Sequence, residues 1–205
     1  MSGHPVATVA GIPVPCAEVD AAETLLRAGR GAGALPAAGT GEGRQLRRWL
    51  TQLIVTRRVV AAEADARGLD PREAPTEAEL LPDMTARLEI GSVAAAVLAD
   101  PRARALFADV TADVHVTDDE VAAYHARNPL RFAAARPGEN GWRTTALAAP
   151  PLAEVRSAIV EQLRGAARRR AFRLWLHARR AELVRLAPGY EHPGDPRQPD
   201  NTHRH

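Results

Sequence analysis

The stretch "RQLRRWLTQLIVTRRVVAAEADARG", Arg44 to Gly68, decides how the rest of the chain is read. Leu46, Leu50, Leu53, Val60 and Ala64 recur at helical spacing and so share one side of an α-helix. No proline interrupts the run. Gly68 supplies the stop, because glycine reaches the left-handed conformation that closes helices. A helix of this length with one apolar side needs other elements to cover it. The composition says which kind. Of the 205 residues 45% are hydrophobic but only 4% aromatic, so alanine, leucine and valine must build the core. That mixture favours helix over sheet.

Upstream, "VATVAGIPV" (Val6–Val14) places β-branched residues around an Ala-Gly pair and predicts a small hairpin. Pro13 confines its second strand to a sheet edge, since proline cannot donate to a ladder. A helix is expected from about Ala17 to Ala28. The glycine-rich Gly29–Gly43 follows that helix rather than a strand and lacks a Gly-Lys-Ser/Thr ending. It therefore reads as a connector, and no nucleotide is expected.

Downstream, two stretches carry the same start signal: Thr76 with Glu79, and Thr117 with Glu120, each a capping-box spacing. The first helix is perturbed by Pro82, and two further helical pieces meet at Pro101. The final helix is expected from Leu152 to Leu186, some ~50 Å at 1.5 Å per residue. Leu152, Ile159, Leu163, Ala167, Leu174, Ala178 and Ala181 form one stripe along it. Phe172, Leu176 and Leu183 form a second in its later half. A helix apolar on two sides is clamped between layers or offers a face to a partner.

In order, these segments resemble the helical chaperone module of SurA/PrsA-type parvulin foldases, which is itself similar to the C-terminal module of trigger factor. The likeness rests on "VATVAGIPVPCAEVD", "LRRWLTQLIVTRRVVAAEADARGL", "VTDDEVAAYHARNPLRF" and the long helix from "LAEVRSAIVEQL" onward, about half the chain. The resemblance implies a mainly α fold, a SurA-N-like module with an N-terminal β-hairpin and a long C-terminal helix. Residues 1–187 then form one helical domain and 188–205 an irregular tail containing histidines. Where the family carries its prolyl isomerase domain, this chain has only the short connector 133–151, too little for an independent fold. Isomerase activity is not expected.

The likeness and the two-sided helix together lead to a chaperone-like module holding a protein or peptide client. Phe172, Trp175 and Leu176 are the candidate client-binding residues, and a homodimer through the long helix is a further expectation. Arg170, Arg173 and His177 share one side of that helix and suit an anionic group. The arginine run Arg164–Arg173 lacks interleaved aromatics and reads as a solvated face rather than a nucleic-acid contact. With basic and acidic residues interspersed and a formal net charge of +2, no nucleic-acid partner is expected.

The tail "YEHPGDPRQPDNTHRH" (Tyr190–His205) is what the family pattern leaves over. His192, His203 and His205 are candidate ligands for a divalent transition metal, with Glu191, Asp195 or Asp200 beside them. Zinc, iron, nickel and copper are not distinguished by this pattern. On that reading the tail folds over the helical cradle towards Arg170, Arg173 and His177, and the chain is a metal-dependent enzyme acting on a small-molecule substrate of natural-product biosynthesis. His4 and His115 are further candidate ligands, and His125 reads as structural. Cys16 and Ser92 have no base at a recognisable spacing. Lone Cys16 leaves no disulfide framework. The opening residues show no export signal and no run is long enough for a bilayer, so a cytoplasmic protein without membrane contact is expected.

Overall fold

The computed structural model describes residues 4–132 and 149–195. The fold is mainly α. In order it contains β1 (Pro5–Val9), β2 (Ile12–Pro15), α1 (Cys16–Arg27), α2 (Gly41–Ala66), α3 (Glu77–Leu80), α4 (Met84–Ile90), α5 (Ser92–Val97), α6 (Pro101–Val110), α7 (Asp118–Arg127), α8 (Leu152–Leu183) and β3 (Val184–Leu186).

Helix α2 is the axis of the molecule. Thr40 caps it, its hydroxyl accepting from the Gly43 amide at 3.0 Å, so the helix starts three residues before the expected Arg44. At its other end Gly68 lies at φ +63°, the Gly68 amide donates to Asp65 and the Leu69 amide to Ala64. Those two bonds make a Schellman stop, and Leu69 packs on the core as that motif favours. The sequence suggests one apolar side, but between Leu50 and Val60 nearly the whole circumference is buried. Helices α1, α5, α6 and α8 and strand β1 surround it. Buried Thr51 and Thr56 fit this apolar setting because their hydroxyls donate back to the carbonyls of Arg47 and Gln52.

The hairpin forms as expected, with Ala10 (φ +49°) and Gly11 (φ +80°) as the two turn residues, the left-handed pair that a two-residue hairpin requires. Strand β2 is an edge, in keeping with Pro13. The strand order is β2-β1-β3, however, so a third strand closes the other edge of β1. The long helix therefore does not run to Leu186. It ends at Leu183, and Val184, Arg185 and Leu186 pair antiparallel with Val9, Thr8 and Ala7. The β-branched Val184 beside an open strand edge favours pairing over another helical turn.

Both capping boxes are present, with Thr76–Glu79 starting α3 and Thr117–Glu120 starting α7. Pro101 sits in the first turn of α6, where its missing N–H costs nothing. Helix α8 lies across α4, α6, α7 and α2. Phe172 is fully buried against Phe107 (5.0 Å between ring centroids) and stacks on Trp175 (5.7 Å).

Candidate functional site

Two parts of α8 must be kept apart. In its later half the apolar stripe is consumed by the fold. Phe172 and Leu176 belong to the core, and half-buried Trp175 is covered by the Arg67 guanidinium at 5.6 Å, a cation–π contact. A client on the surface does not reach Phe172 or Leu176. Arg170, Arg173 and His177 stand exposed on the outer side, with Leu174 between them at 57% exposure. Arg173 donates to the Glu89 carbonyl at 3.0 Å.

The earlier half of α8 is less covered. Between it and α7 runs a groove of about 440 Å³ lined by Val116, Ala123, Tyr124, Leu163 and Ala167, together with His115 and the charged Asp119, Glu120 and Arg127. Small residues make it: Ala123 and Ala167 leave space that larger side chains would fill. Tyr124 is fixed at its rim. Gln162, with its amide oxygen turned towards them, accepts from the Tyr124 hydroxyl (2.7 Å) and from Arg131 Nε (3.3 Å). The Tyr124 ring meets Phe132 edge-on at 6.4 Å. Beside the groove, His125 Nε2 lies 2.9 Å from the Pro150 carbonyl oxygen, which brings the end of α7 close to the start of α8. Asp118 and Arg156 pair between the same two helices.

The start of the tail docks at the opposite end of α8. The Ala187 amide donates to Val6 (2.9 Å), Arg48 Nε to the Gly189 carbonyl (3.0 Å), and Gln52 Nε2 to the Tyr190 carbonyl (3.0 Å). The Tyr190 hydroxyl lies 3.8 Å from Cys16 Sγ, which Arg47 approaches to 3.6 Å. Burial raises the Tyr190 phenol, and the neighbouring thiol adds to the effect.

His192 is exposed, though part of its ring is shielded from water. Burial first, and the Arg180 guanidinium second, lower its pKa against a smaller opposing pull from Asp195. Its Nδ1 accepts from the Gly194 amide at 3.0 Å, which places the proton of the neutral ring on Nε2. Binding a metal at Nε2 requires that proton to move and the Gly194 bond to break, beside a guanidinium that repels a dication. His203, His205 and Asp200 lie outside the described residues, as does most of the connector 133–151. Among the described residues no three His, Cys, Asp or Glu side chains come together as a metal site. His4 is exposed, and Ser92 accepts from the Trp49 indole N–H at 3.1 Å.

The arginine run departs most from its sequence reading. Arg164, Arg170 and Arg173 are exposed, but Arg169 is only 8% exposed and Arg168 is half-buried. Arg169 donates to Glu89 (2.8 Å) and to the Leu80 carbonyl (3.3 Å), tying α8 to α3 and α4. Gly165 leaves room for that guanidinium, because a Cβ there would lie 3.1 Å from Arg169 Nη1. Helical arithmetic carried the inward direction: Arg169 and Phe172, and Phe172 and Leu176, are three and four residues apart.

No helix among the described residues is long and apolar enough to cross a membrane. Residues 5–42, which span the hairpin, α1 and the first residues of α2, match a family of unknown function (DUF7158). No curated protein and no solved structure matches the chain.

Proposed function

We propose that the chain is a chaperone-like binding module of the SurA/PrsA type, without prolyl isomerase activity, that holds a segment of a protein or peptide client in the groove between α7 and α8. The observation that carries this reading is the groove itself. Its lining is mainly apolar, with Asp119, Glu120 and Arg127 as the charged members, Ala123 and Ala167 keep it open, and a hydrogen-bonded Tyr124 lines it. Apolar concave surface of this kind is what a module gains by leaving one stripe of a long helix unfilled. The four sequence segments that resemble the foldases support it as well. The groove lies within the third and fourth of them, beside the corner at which the family's catalytic domain would be inserted.

Client binding thereby moves from Phe172, Trp175 and Leu176 to Leu163, Ala167 and Ala123. The test is suppression of aggregation of reduced insulin by the full chain. Wild-type protein at equimolar ratio delays aggregation. Leu163→Asp, which puts a charge into the apolar wall, reduces the delay several-fold. Leu174→Asp, on the outer face of the same helix, leaves it unchanged. No delay with wild-type protein, or equal loss in both variants, overturns the reading.

A further inference from the structure

A second cavity, of about 310 Å³, opens where α3 and α6 meet α8, and the groove reading does not use it. Half-buried Pro75 lines it above the buried Leu80 and Phe107, and Arg164 and Arg168 face it from successive turns of α8. Arg168 is held in one pose. Its Nε donates to Thr111 Oγ1 at 2.8 Å, and its guanidinium lies over the Phe107 ring at 5.3 Å. The Thr111 hydroxyl spends its own proton on the Phe107 carbonyl (2.7 Å), so its oxygen is committed to accepting from Arg168.

The neighbouring guanidiniums have carboxylate partners: Arg169 pairs with Glu89, and Arg164 with Glu161. Arg168 has no ion pair among the described residues, and its two Nη groups have no acceptor there. Burial first, and the nearby Arg164 second, make its charge costly.

We infer that this cavity is a receptor for a small organic carboxylate, which Arg168 grips end-on through its two Nη groups while half-buried Pro75 meets the rest of the molecule. A planar monoanion matches the guanidinium fork. The carboxylates of Glu79 and Glu161 at the rim disfavour a dianion such as phosphate. This site stands independently of the α7–α8 groove.

The full chain is titrated at low salt with butyrate, N-acetyl-leucine, N-acetyl-leucinamide and inorganic phosphate, following the Arg168 Nε–H signal by NMR. Saturable shifts are expected with both carboxylates, and binding about 10-fold weaker or more with the amide, which lacks the charged acceptor. N-acetyl-leucine binding more tightly than butyrate identifies a peptide C-terminus as the source, and equal binding a free short-chain acid. Binding followed by calorimetry is lost in Arg168→Gln, weakened several-fold in Arg164→Gln, and unchanged in Arg170→Gln. Phosphate binding as tightly as the carboxylates overturns the assignment, as does carboxylate binding that survives Arg168→Gln. Should Arg168→Gln not fold, Arg164→Gln decides, and an affinity equal to wild type in that variant overturns the site.

Discussion

Phe172 and Leu174 stand two positions apart on α8 and have opposite fates: one is fully buried, the other 57% exposed. Two residues advance a helix by about 200°, so neighbours of equal hydrophobicity point to opposite sides. Phe172 touches Phe107 and Trp175 and has no room to be replaced by a smaller side chain without leaving a void. Phe172→Ala is expected to lower stability by about 3–5 kcal/mol, measured by urea unfolding. A loss below about 1 kcal/mol would show that the ring is not a core residue. Which stripe of α8 is covered was not legible from spacing, because both satisfy the helical period. Arg169 is the same lesson in a charged residue. Its type predicts solvent, but Glu89 and the Leu80 carbonyl supply the partners that make burial acceptable.

Helix ends were far more legible, since they depend on residues within a few positions of one another. The pairs Thr76–Glu79 and Thr117–Glu120 close their reciprocal bonds, and Gly68 closes the α2 stop. Hydrogen bonds from the Thr76 and Thr117 amides, with help from the hydroxyls, hold the Glu79 and Glu120 carboxyls below the usual glutamate range. A carboxyl depressed in the folded state stabilises it fully above its unfolded pKa of about 4.3, and loses that contribution as pH falls through the lower folded value. Glu120→Ala is therefore expected to be less stable than the wild-type protein at neutral pH. The deficit shrinks in denaturation curves taken below pH 4, where Glu120 in the wild-type protein is itself being protonated. A deficit constant with pH would contradict the reciprocal cap. Sequence placed the start of α2 three residues late, and it misplaced the end of α8, where the deciding partner, β1, lies far away in the chain.

At the scale of the molecule, the chain closes on its own beginning. Strand β1 receives β3 on its open edge, and Ala187 to Tyr190 continue across α1 and α2. Tyr190 packs on the core beside Cys16, so this contact joins the end of the described chain to the start of α1. Tyr190→Ala is expected to lower stability by about 1–3 kcal/mol. It also exposes the Cys16 thiol, so reaction with a disulfide reagent becomes several-fold faster under native conditions. An unchanged thiol rate would show that Tyr190 does not cover Cys16.

Sequence alone determined what depends on neighbours: the helical class, the hairpin with its edge proline, the caps, and the stop at Gly68. Each is a contest between backbone groups and side chains a few residues apart, so its outcome is written locally. Only the tertiary structure decided which stripe of α8 is core and which is groove, that α2 is buried nearly all round, that the chain ends its long helix to pair with β1, and that Arg168 turns inward. Those outcomes depend on surfaces brought together from distant parts of the chain, where burial and the loss of water set the energy and sequence spacing carries no record of the partner.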